Sequence, residues 1–236
     1  MMHVVTACVY KDSSPAEALL RSCKKLSIPL HVYGIGGKFV GYCETKINML
    51  LDYLRAISAE RVMYLDCSDT VFALGMDDIL KRYKRIQGRG KERTIIASDR
   101  MLHPPSQYEQ VFVERNANNS AWAYPCAGVI CGQRTSLIHD LEIVKRLWSE
   151  ADPSGKYYDN DQGYWIEAMG SGDVDAIIDY DSSISVSLHG YKTWWFRSTR
   201  KRVRLYNGAT PCILHFNGQK PKEKLMGEMS RMVLGE

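Results

Sequence analysis

Short apolar segments rich in β-branched residues alternate with helical segments along the first half of the chain, and this alternation constrains the fold most. The segments "HVVTACVY" (3–10) and "LHVYGIG" (30–36) predict buried strands. Between them, "SPAEALLRSCKKL" predicts a helix, because Ser14 and Glu17 have the spacing of a capping box around Pro15. Strands that alternate with helices of this length predict an α/β fold whose mostly parallel sheet is covered by helices on both faces.

The same alternation continues to residue 98 and then becomes less regular. Apolar residues at helical spacing from Thr45 predict a long amphipathic helix. We predict further helices in "MDDILKRYKRI", in the segment that carries Leu137, Leu141, Val144 and Trp148, and in "DQGYWIEAM". We predict further strands in the apolar run 62–65 of "RVMYLDCSDTVFALG", and in "RTIIAS" (93–98), "AGVICG" (127–132), "DAIIDY" (175–180) and "PCILHFNG" (211–218), with a Pro- and Asn-rich excursion over 103–120.

Composition is typical of a soluble globular protein with a substantial core. Of 236 residues, 45% are hydrophobic and 25% are charged. The formal net charge of +4 fits an anionic ligand without requiring one. Because no linker, low-complexity segment or internal repeat divides the chain, we expect a single domain over residues 1–236.

The cysteines indicate a reducing compartment. Their number, seven, is odd, no CxxC pair occurs, and most lie inside apolar runs. This pattern predicts buried thiols rather than a disulfide framework or a zinc site. The N-terminal segment "MMHVVTACVYKD" has no basic leader, and its apolar run is too short for a signal or membrane helix. We therefore expect a cytoplasmic protein, or one in the host cytoplasm if the source is viral, with no membrane partner.

Two carboxylates stand at the end of the apolar run 62–65, in the stretch "RVMYLDCSDTVFALG". In open α/β sheets ligands bind beyond the carboxyl ends of the strands, so Asp66 and Asp69 are placed to face a ligand crevice. Two nearby carboxylates repel each other unless a cation lies between them, and Mg²⁺ or Mn²⁺ holding a ligand's phosphates would fit. In the alternative interpretation Asp66 hydrogen-bonds its own turn and Asp69 caps a short helical segment.

Several further segments, in order along the chain, resemble one family. The chain resembles the glycosyltransferase domain of procollagen lysyl hydroxylases and procollagen galactosyl- and glucosyltransferases, and GT-A glycosyltransferases more widely. The resemblance runs from Val4 to about Lys222 and implies the Rossmann-like GT-A fold in a stand-alone microbial or viral member. It is carried by "VVTAC", "ETKINMLLDYL", "YLDCSDTVFALG", "AGVICG", "DNDQGYW" and "ILHFNGQK".

The resemblance implies a metal-dependent transferase. Asp66, Asp69 and His215 would hold the cation, and an imidazole beside two carboxylates favours Mn²⁺ over Mg²⁺. The reaction would move a hexose of the glucose or galactose class from UDP-glucose or UDP-galactose to an acceptor hydroxyl. The relatives imply retention of the anomeric configuration. Asp161 and Asp159 would orient the acceptor or stabilise the sugar cation, although Asp161 could instead cap the next helix.

Other positions matched by the resemblance would bind the nucleotide, together with Asp66. Lys46 would approach the phosphates or the sugar, or it is a surface lysine in the first turn of its helix. Gly218 and either Lys220 or Lys222 would lie near the diphosphate, since glycine admits close backbone approach and lysine adds charge. The uridine pocket would be lined by Thr6, Ala7 and Cys8.

The sequence departs from the family beside the sugar site. Cys126 and Ala127 stand where relatives carry an asparagine and a serine before the glycine pair, so the sugar is not fixed by the resemblance. The hydroxylase half of the collagen enzymes is absent, so we do not expect a collagen acceptor.

A basic and aromatic strip, "KTWWFRSTRKRVRLY" (192–206), suggests an anionic acceptor. Cations interleaved with aromatic rings suit a nucleic acid, such as a hydroxymethylated DNA base, but also an anionic glycan or a polypeptide. Alternatively, the strip is a charged strand face whose tryptophans lie in the core. Its members are Arg197, Arg200, Lys201, Arg202 and Arg204, among Trp194, Trp195, Phe196 and Tyr206.

Two other functional classes remain open from the sequence. A sugar nucleotidyltransferase would share the sheet and the acidic metal site, but "CVYKDSSPAE" lacks the glycine-rich loop expected after the first strand. A catalytically inactive sugar- or nucleotide-binding module would keep the fold without the chemistry.

Overall fold

A computed structural model of the chain describes residues 1–90, 92–117, 120–189, 196–199, 202–205, 208–218, 226–228, 231 and 233, with the backbone alone at 196–199 and 202. The helices of this part are α1 (Glu17–Lys25), α2 (Met49–Ala56), α3 (Met76–Gln87), α4 (Glu109–Arg115), α5 (Arg134–Glu150) and α6 (Asp161–Ser171). The strands are β1 (Met2–Ala7), β2 (Leu30–Tyr33), β3 (Arg61–Leu65), β4 (Thr70–Phe72), β5 (Ile95–Asp99), β6 (Tyr124–Gln133), β7 (Ile177–Ile178), β8 (Ser185–Ser187), β9 (Phe196–Thr199), β10 (Arg202–Leu205) and β11 (Ile213–His215).

One mixed sheet organises the molecule. Its strand order is β2-β1-β3-β6-β5-β8-β11-β4, with β7 beside β5. The pairs β1–β2, β1–β3, β5–β7, β5–β8 and β8–β11 are parallel, whereas β6 runs antiparallel to both of its neighbours and β4 runs antiparallel to β11. The prediction of a mostly parallel α/β sheet is confirmed.

Helices cover the sheet on both faces, as predicted. On one face, α2, α4, α5 and α6 pack against inward side chains of β1, β3, β5 and β6, including Val5, Val62 and Ile130. On the other face, α1 and α3 contact the alternate side chains of the same strands, including Val4, Met63 and Val129. Since successive strand residues point to opposite faces, these near-continuous apolar strands supply both cores.

Several local predictions are wrong in detail. The capping box at Ser14 does not form: residues Ser14–Ala16 make a 3₁₀ turn, and Asp12 accepts a hydrogen bond from the Ser14 amide at 2.9 Å. The helix predicted from Thr45 begins as a π-helical segment, Glu44–Asn48, before α2. The polar excursion over 103–120 contains a helix, α4, and the predicted strand 175–180 shrinks to β7.

All seven cysteines are buried, as predicted. In the part of the chain that the structure describes, every helix is too short or too polar to cross a membrane.

A cluster of aromatic rings lies where β1, β2 and α2 meet. Tyr53 of α2 shares a 2.6 Å hydrogen bond with His3 of β1 and stacks on Tyr33 of β2, with ring centroids 4.8 Å apart. The ring of His31 lies 6.0 Å from that of His3. Burial and, secondarily, the neighbouring His31 lower the pKa of His3 below its usual 6.5.

This shift predicts a pH-dependent stability. Since unfolded His3 protonates near pH 6.5 and folded His3 at lower pH, the unfolded state binds more protons between the two values. The stability from His3 is therefore complete above pH 6.5 and is lost as pH falls through the folded pKa. Chemical denaturation between about pH 7.5 and about pH 5.5 should show a smaller loss of unfolding free energy in His3→Gln than in the native protein. If the unfolding free energies of His3→Gln and the native protein fall equally between these pH values, the lowered pKa of His3 is contradicted.

Candidate metal and nucleotide site

Asp66 and Asp69 lie where β3 leaves the sheet. The Asp66 amide donates to the carbonyl of Gly128 on β6 at 2.9 Å, so the first residue after β3 is still held by its neighbour. Thr70 closes the turn by donating its hydroxyl to the Asp66 carbonyl. The alternative interpretation is wrong for Asp69, because strand β4 follows it directly and there is no helix for it to cap. The turn is hydrogen-bonded through the backbone of Asp66, and both carboxylates line the cleft.

The strand order brings His215 to this pair from far along the chain. Antiparallel pairing places His215, the last residue of β11, opposite Thr70, the first residue of β4. The Phe216 amide donates to the Asp69 carbonyl at 2.7 Å and fixes this register. The Nε2 atom of His215 then lies 3.6 Å from Asp69 Oδ1 and 3.7 Å from Asp66 Oδ2.

Gly128 makes room for the imidazole. A β-carbon at this position would lie 2.0 Å from Cε1 of His215, so a larger residue would force the ring out of place. The Nδ1 atom of His215 faces Cys126 Sγ at 3.6 Å. The "PCAGVICG" segment thus supports the histidine as well as lying beside the predicted sugar site.

Burial and neighbouring charges shift the pKa values of Asp66 and His215. Burial raises the pKa of Asp66, and although Lys46 opposes this effect, Asp69 adds to it. Burial alone would lower the pKa of His215, but the Asp69 carboxylate beside it raises that pKa well above its ordinary value. A cation between the two aspartates would relieve their repulsion.

The donor set fits a divalent metal ion. Ligand atoms of Asp66, Asp69 and His215 all lie within 4.8 Å of one another, and among the described residues no other cluster of this kind occurs. Two carboxylate oxygens and an imidazole nitrogen are ligands that first-row divalent ions accept. The structure therefore brings the three residues of the predicted metal site together.

Lys46 is not the surface lysine of the alternative interpretation. Its ammonium group lies 3.1 Å from Asp66 Oδ1 and 3.0 Å from Asp161 Oδ2, and its side chain is 12% exposed. Burial alone would lower the pKa of Lys46, but Asp161 and Asp66 raise it above its ordinary value. The π-helical segment that carries Lys46 packs Thr45 and Ile47 into the core. Such π segments are frequent at functional sites.

Of the two predicted catalytic aspartates, Asp161 lies at this centre. It is the first residue of α6, whose N-cap is Asn160, so Asp161 does not cap the helix. Its neighbour Gln162 accepts a hydrogen bond from the Ala127 amide at 3.2 Å, which ties the start of α6 to β6.

Asp159 contacts a different part of the cleft wall. Its two carboxylate oxygens accept hydrogen bonds from the amides of Tyr42 and Cys43, each at 3.0 Å. Gly41 has φ +142°, and a β-carbon there would lie 2.7 Å from the Asp159 carboxylate. The geometry gives Asp159 a structural task, which is to hold the turn that leads into the Lys46 segment.

A cleft extends from the carboxylate pair along the ends of β1 and β3. Of the three predicted uridine-pocket residues, Ala7 lines this cleft. Thr6 is buried and donates its hydroxyl to the Leu65 carbonyl at 2.7 Å, and Cys8 is fully buried beside Cys67. The side chains of Thr6 and Cys8 therefore hold the cleft floor without facing the cleft.

Exposed aromatic residues at the cleft were missed by the sequence analysis. Tyr10, Phe39 and Tyr42 line the cleft and are 42%, 43% and 56% exposed. Phe39 and Tyr42 meet edge to face, with ring centroids 5.2 Å apart. The available signal was two large rings, Phe39 and Tyr42, inside a glycine-rich segment, "GIGGKFVGY", with no helical or strand periodicity to bury them.

Hydrogen bonds of the Asn217 side chain hold the loop after His215. Asn217 donates to the Asp99 carboxylate and accepts from the amides of Leu188 and His189 at 3.1 and 3.2 Å. Gly218 has φ +90°, and a β-carbon there would lie 2.4 Å from His189 Nδ1. Glycine is therefore required at 218, whereas the two lysines predicted near the diphosphate, Lys220 and Lys222, lie outside the described residues.

The basic strip is described in part. β9 and β10 form a separate antiparallel hairpin in which Arg197 pairs with Arg204. Val203 and Leu205 are buried and Arg204 is exposed, which agrees with a charged strand face over a core. The side chains of Phe196, Arg197 and Arg202, and the residues Trp194, Trp195, Arg200, Lys201 and Tyr206, lie outside the described part.

Comparison with known proteins gives one family match and several structural likenesses. The family profile described as the PLOD GT domain matches residues 2–230. No curated protein matches the chain significantly.

The structural likenesses are to viral and bacterial glycosyltransferases. A glycosyltransferase involved in the glycosylation of the major capsid of PBCV-1 has a TM-score of 0.56 at 11% identity, over 97% of this chain and 98% of the other. The glycosyltransferase GlyE of Streptococcus pneumoniae has a TM-score of 0.55 at 13% identity, over 100% and 63%. The bifunctional WbbM has a TM-score of 0.52 at 11% identity, over 92% and 46%.

The contact between Gly128 and His215 predicts the effect of adding one methyl group. We expect Gly128→Ala to weaken Mn²⁺ binding by about 10–100-fold, because the displaced imidazole no longer faces the aspartates. Isothermal titration with MnCl₂ measures this loss. Gly75→Ala is the matched control, since a β-carbon there meets nothing within 4 Å. Equal affinities of Gly128→Ala and the native protein would exclude His215 from the metal site.

Removing the charge of Lys46 should destabilise the metal-free protein. Lys46→Met leaves Asp66 and Asp161 without their cation, and breaking a buried pair of this kind costs about 3–5 kcal/mol. Urea denaturation of the metal-free protein measures the loss, with the exposed Lys38→Met as the control. The double variant Lys46→Met/Asp161→Asn should recover part of the stability. If Lys46→Met lowers the unfolding free energy no more than Lys38→Met does, the ion pairs of Lys46 do not stabilise the metal-free protein.

Proposed function

The chain belongs to the family of PLOD glycosyltransferase domains, and from this membership we propose that it transfers a hexose from a UDP-sugar to an acceptor hydroxyl. The donor is UDP-glucose or UDP-galactose, and the anomeric configuration is retained, as in the relatives. One observation carries the proposal: two carboxylates that line a cleft with exposed aromatic rings converge with a buried imidazole. A nucleoside diphosphate has the two parts, anionic and planar, that such a cleft would bind.

Asp66, Asp69 and His215 would hold a divalent cation, with Mn²⁺ favoured by the mixed oxygen and nitrogen ligands. When bound, such an ion supplies Lewis-acid stabilisation to the departing diphosphate. Tyr10, Phe39 and Tyr42 offer ring faces to the base, and Ala7 leaves room beside them.

The chain's own charged groups would orient the reaction. The bond between the anomeric carbon and the diphosphate oxygen breaks, and its electron pair leaves with UDP. The acceptor oxygen bonds to the anomeric carbon, and its proton passes to the departing diphosphate. Asp161 would orient the acceptor or stabilise positive charge on the sugar, and Lys46 would hold the Asp161 carboxylate in place. Asp159 would act as a positioning residue through the turn before Lys46.

The acceptor is a glycan, a polypeptide or a hydroxylated DNA base. The structural neighbour from PBCV-1 is involved in glycosylating a capsid protein, which favours the first two classes.

Slow donor hydrolysis tests this function without knowledge of the acceptor. With MnCl₂, the native protein should release UDP from UDP-glucose or UDP-galactose, and chelation with EDTA should stop the release. Asp69→Asn and His215→Ala should lower the rate by about 100-fold or more, because the charge developing on the diphosphate loses its stabilisation. Asp52→Asn, at a carboxylate 81% exposed, is the control. Nucleotide binding with no hydrolysis would favour the inactive module, and release of pyrophosphate from UTP and a sugar phosphate would favour the nucleotidyltransferase.

A further inference from the structure

A second cavity lies beside α6, the helix that begins at Asp161. Three segments enclose it: Pro104–Gln107 after β5, the end of α5 with the loop that follows it, and one face of α6. Its volume is about 570 Å³, within the range of small-molecule sites. Its lining residues are different from those of the nucleotide cleft.

The cavity is joined to the centre through the first turn of α6. Asp161 faces Lys46, whereas Gly163, two residues later, lines the cavity. Between them, Gln162 accepts from the Ala127 amide and donates to the His103 carbonyl at 2.6 Å, which fixes this turn against both β6 and the loop before Pro104. The cavity and the proposed catalytic carboxylate therefore share the first turn of α6.

A second connection runs through the loop before α6. Tyr158 lines the cavity, and its carbonyl accepts hydrogen bonds from Tyr164 at 2.9 Å and from Cys43 Sγ at 3.6 Å. The next residue, Asp159, holds the turn that precedes Lys46. The cavity wall and the cleft wall are thus parts of one hydrogen-bonded segment.

The cavity walls combine flat apolar surfaces with a few hydrogen-bonding groups. The apolar part comes from Pro104, Leu147, Tyr157, Tyr158 and Tyr164, and the polar part from Gln107, Asp152, Lys156 and Glu167. Aromatic rings can cover the C–H faces of a sugar, and amide and carboxylate groups bind its hydroxyls. Few polar groups placed around an apolar pocket are typical of sites that orient a neutral ligand.

The charged side chains that line the cavity argue against a polyanionic ligand. Asp152 and Glu167 are acidic, and Lys156 supplies one cation, whose ammonium lies 5.0 Å from the Tyr157 ring centroid. A nucleic-acid backbone requires several cations along its path. The balance of these side chains instead suits an uncharged, hydroxyl-rich ligand.

We propose that this cavity is an acceptor subsite for a neutral saccharide, and this inference rests on the proposed function. The sugar that is not modified would lie against Tyr157 and Tyr164, with hydroxyls near Gln107 and Glu167. The adjoining sugar would then present its hydroxyl towards Asp161. Specificity for the acceptor is built by the 104–107 and 152–158 segments, while the donor is recognised by the separate cleft.

Binding of neutral disaccharides tests the subsite directly. In saturation-transfer difference NMR, at least one of lactose, cellobiose and maltose should show protein-dependent signals. Tyr157→Ala should lower the affinity for that disaccharide by about tenfold, since one aromatic contact is lost. Glu167→Gln should lower this affinity less. The matched control is Glu114→Gln, because Glu114 is an exposed glutamate on α4. No binding by any of the three, or equal binding by Tyr157→Ala, would overturn the proposal.

Transfer assays separate this proposal from the proposed function. With MnCl₂ and UDP-glucose or UDP-galactose, Tyr157→Ala should lower the ratio of sugar transfer to donor hydrolysis by about tenfold. Disaccharide binding without any donor hydrolysis would leave the subsite standing and reject the transferase. Donor hydrolysis with transfer to a hydroxymethylated oligonucleotide, and none to the disaccharides, would reject the subsite and keep the transferase.

Discussion

Repulsion among partly buried carboxylates is the constraint on which the functional half of the molecule depends. Asp69 and Asp161 both lie close enough to Asp66 to raise its pKa by repulsion, and this repulsion must be balanced by positive charge. Lys46 balances Asp66 and Asp161, and protonated His215 balances Asp69. Because breaking such a pair is costly, the elements that carry these five residues cannot shift independently. The charge balance and the fold around the cleft therefore support each other.

Two supporting contacts keep these groups in register. Asn217, through Asp99 and the end of β8, fixes the loop that follows His215. Asp159 fixes the turn before Lys46. Neither residue faces the cluster directly, so each acts through the backbone that it holds. This arrangement explains how loops can hold the groups of the site in place.

Much of the fold was predictable because its signals are local. The alternation of apolar strands and amphipathic helices predicted the sheet and the helices on its two faces. The same pattern placed Asp66 and Asp69 at the end of β3. Predictions from local patterns failed where the chain forms a different local hydrogen bond or helix from the one that the pattern predicts. At Ser14, Asp12 rather than a capping box accepts the amide hydrogen bond, and α4 lies inside a stretch whose composition predicts a loop.

The sequence alone established the fold class, the family resemblance and the acidic pair, since each is carried by neighbouring residues. It left open whether Lys46 was a surface lysine and whether Asp159 faced the reaction, and it gave no reason for glycine at 128. These questions were answered by strand order and by the packing of α6 against β6, which join segments distant in the chain. Contacts of that kind depend on the whole folded arrangement, so no local pattern of residue types can encode them.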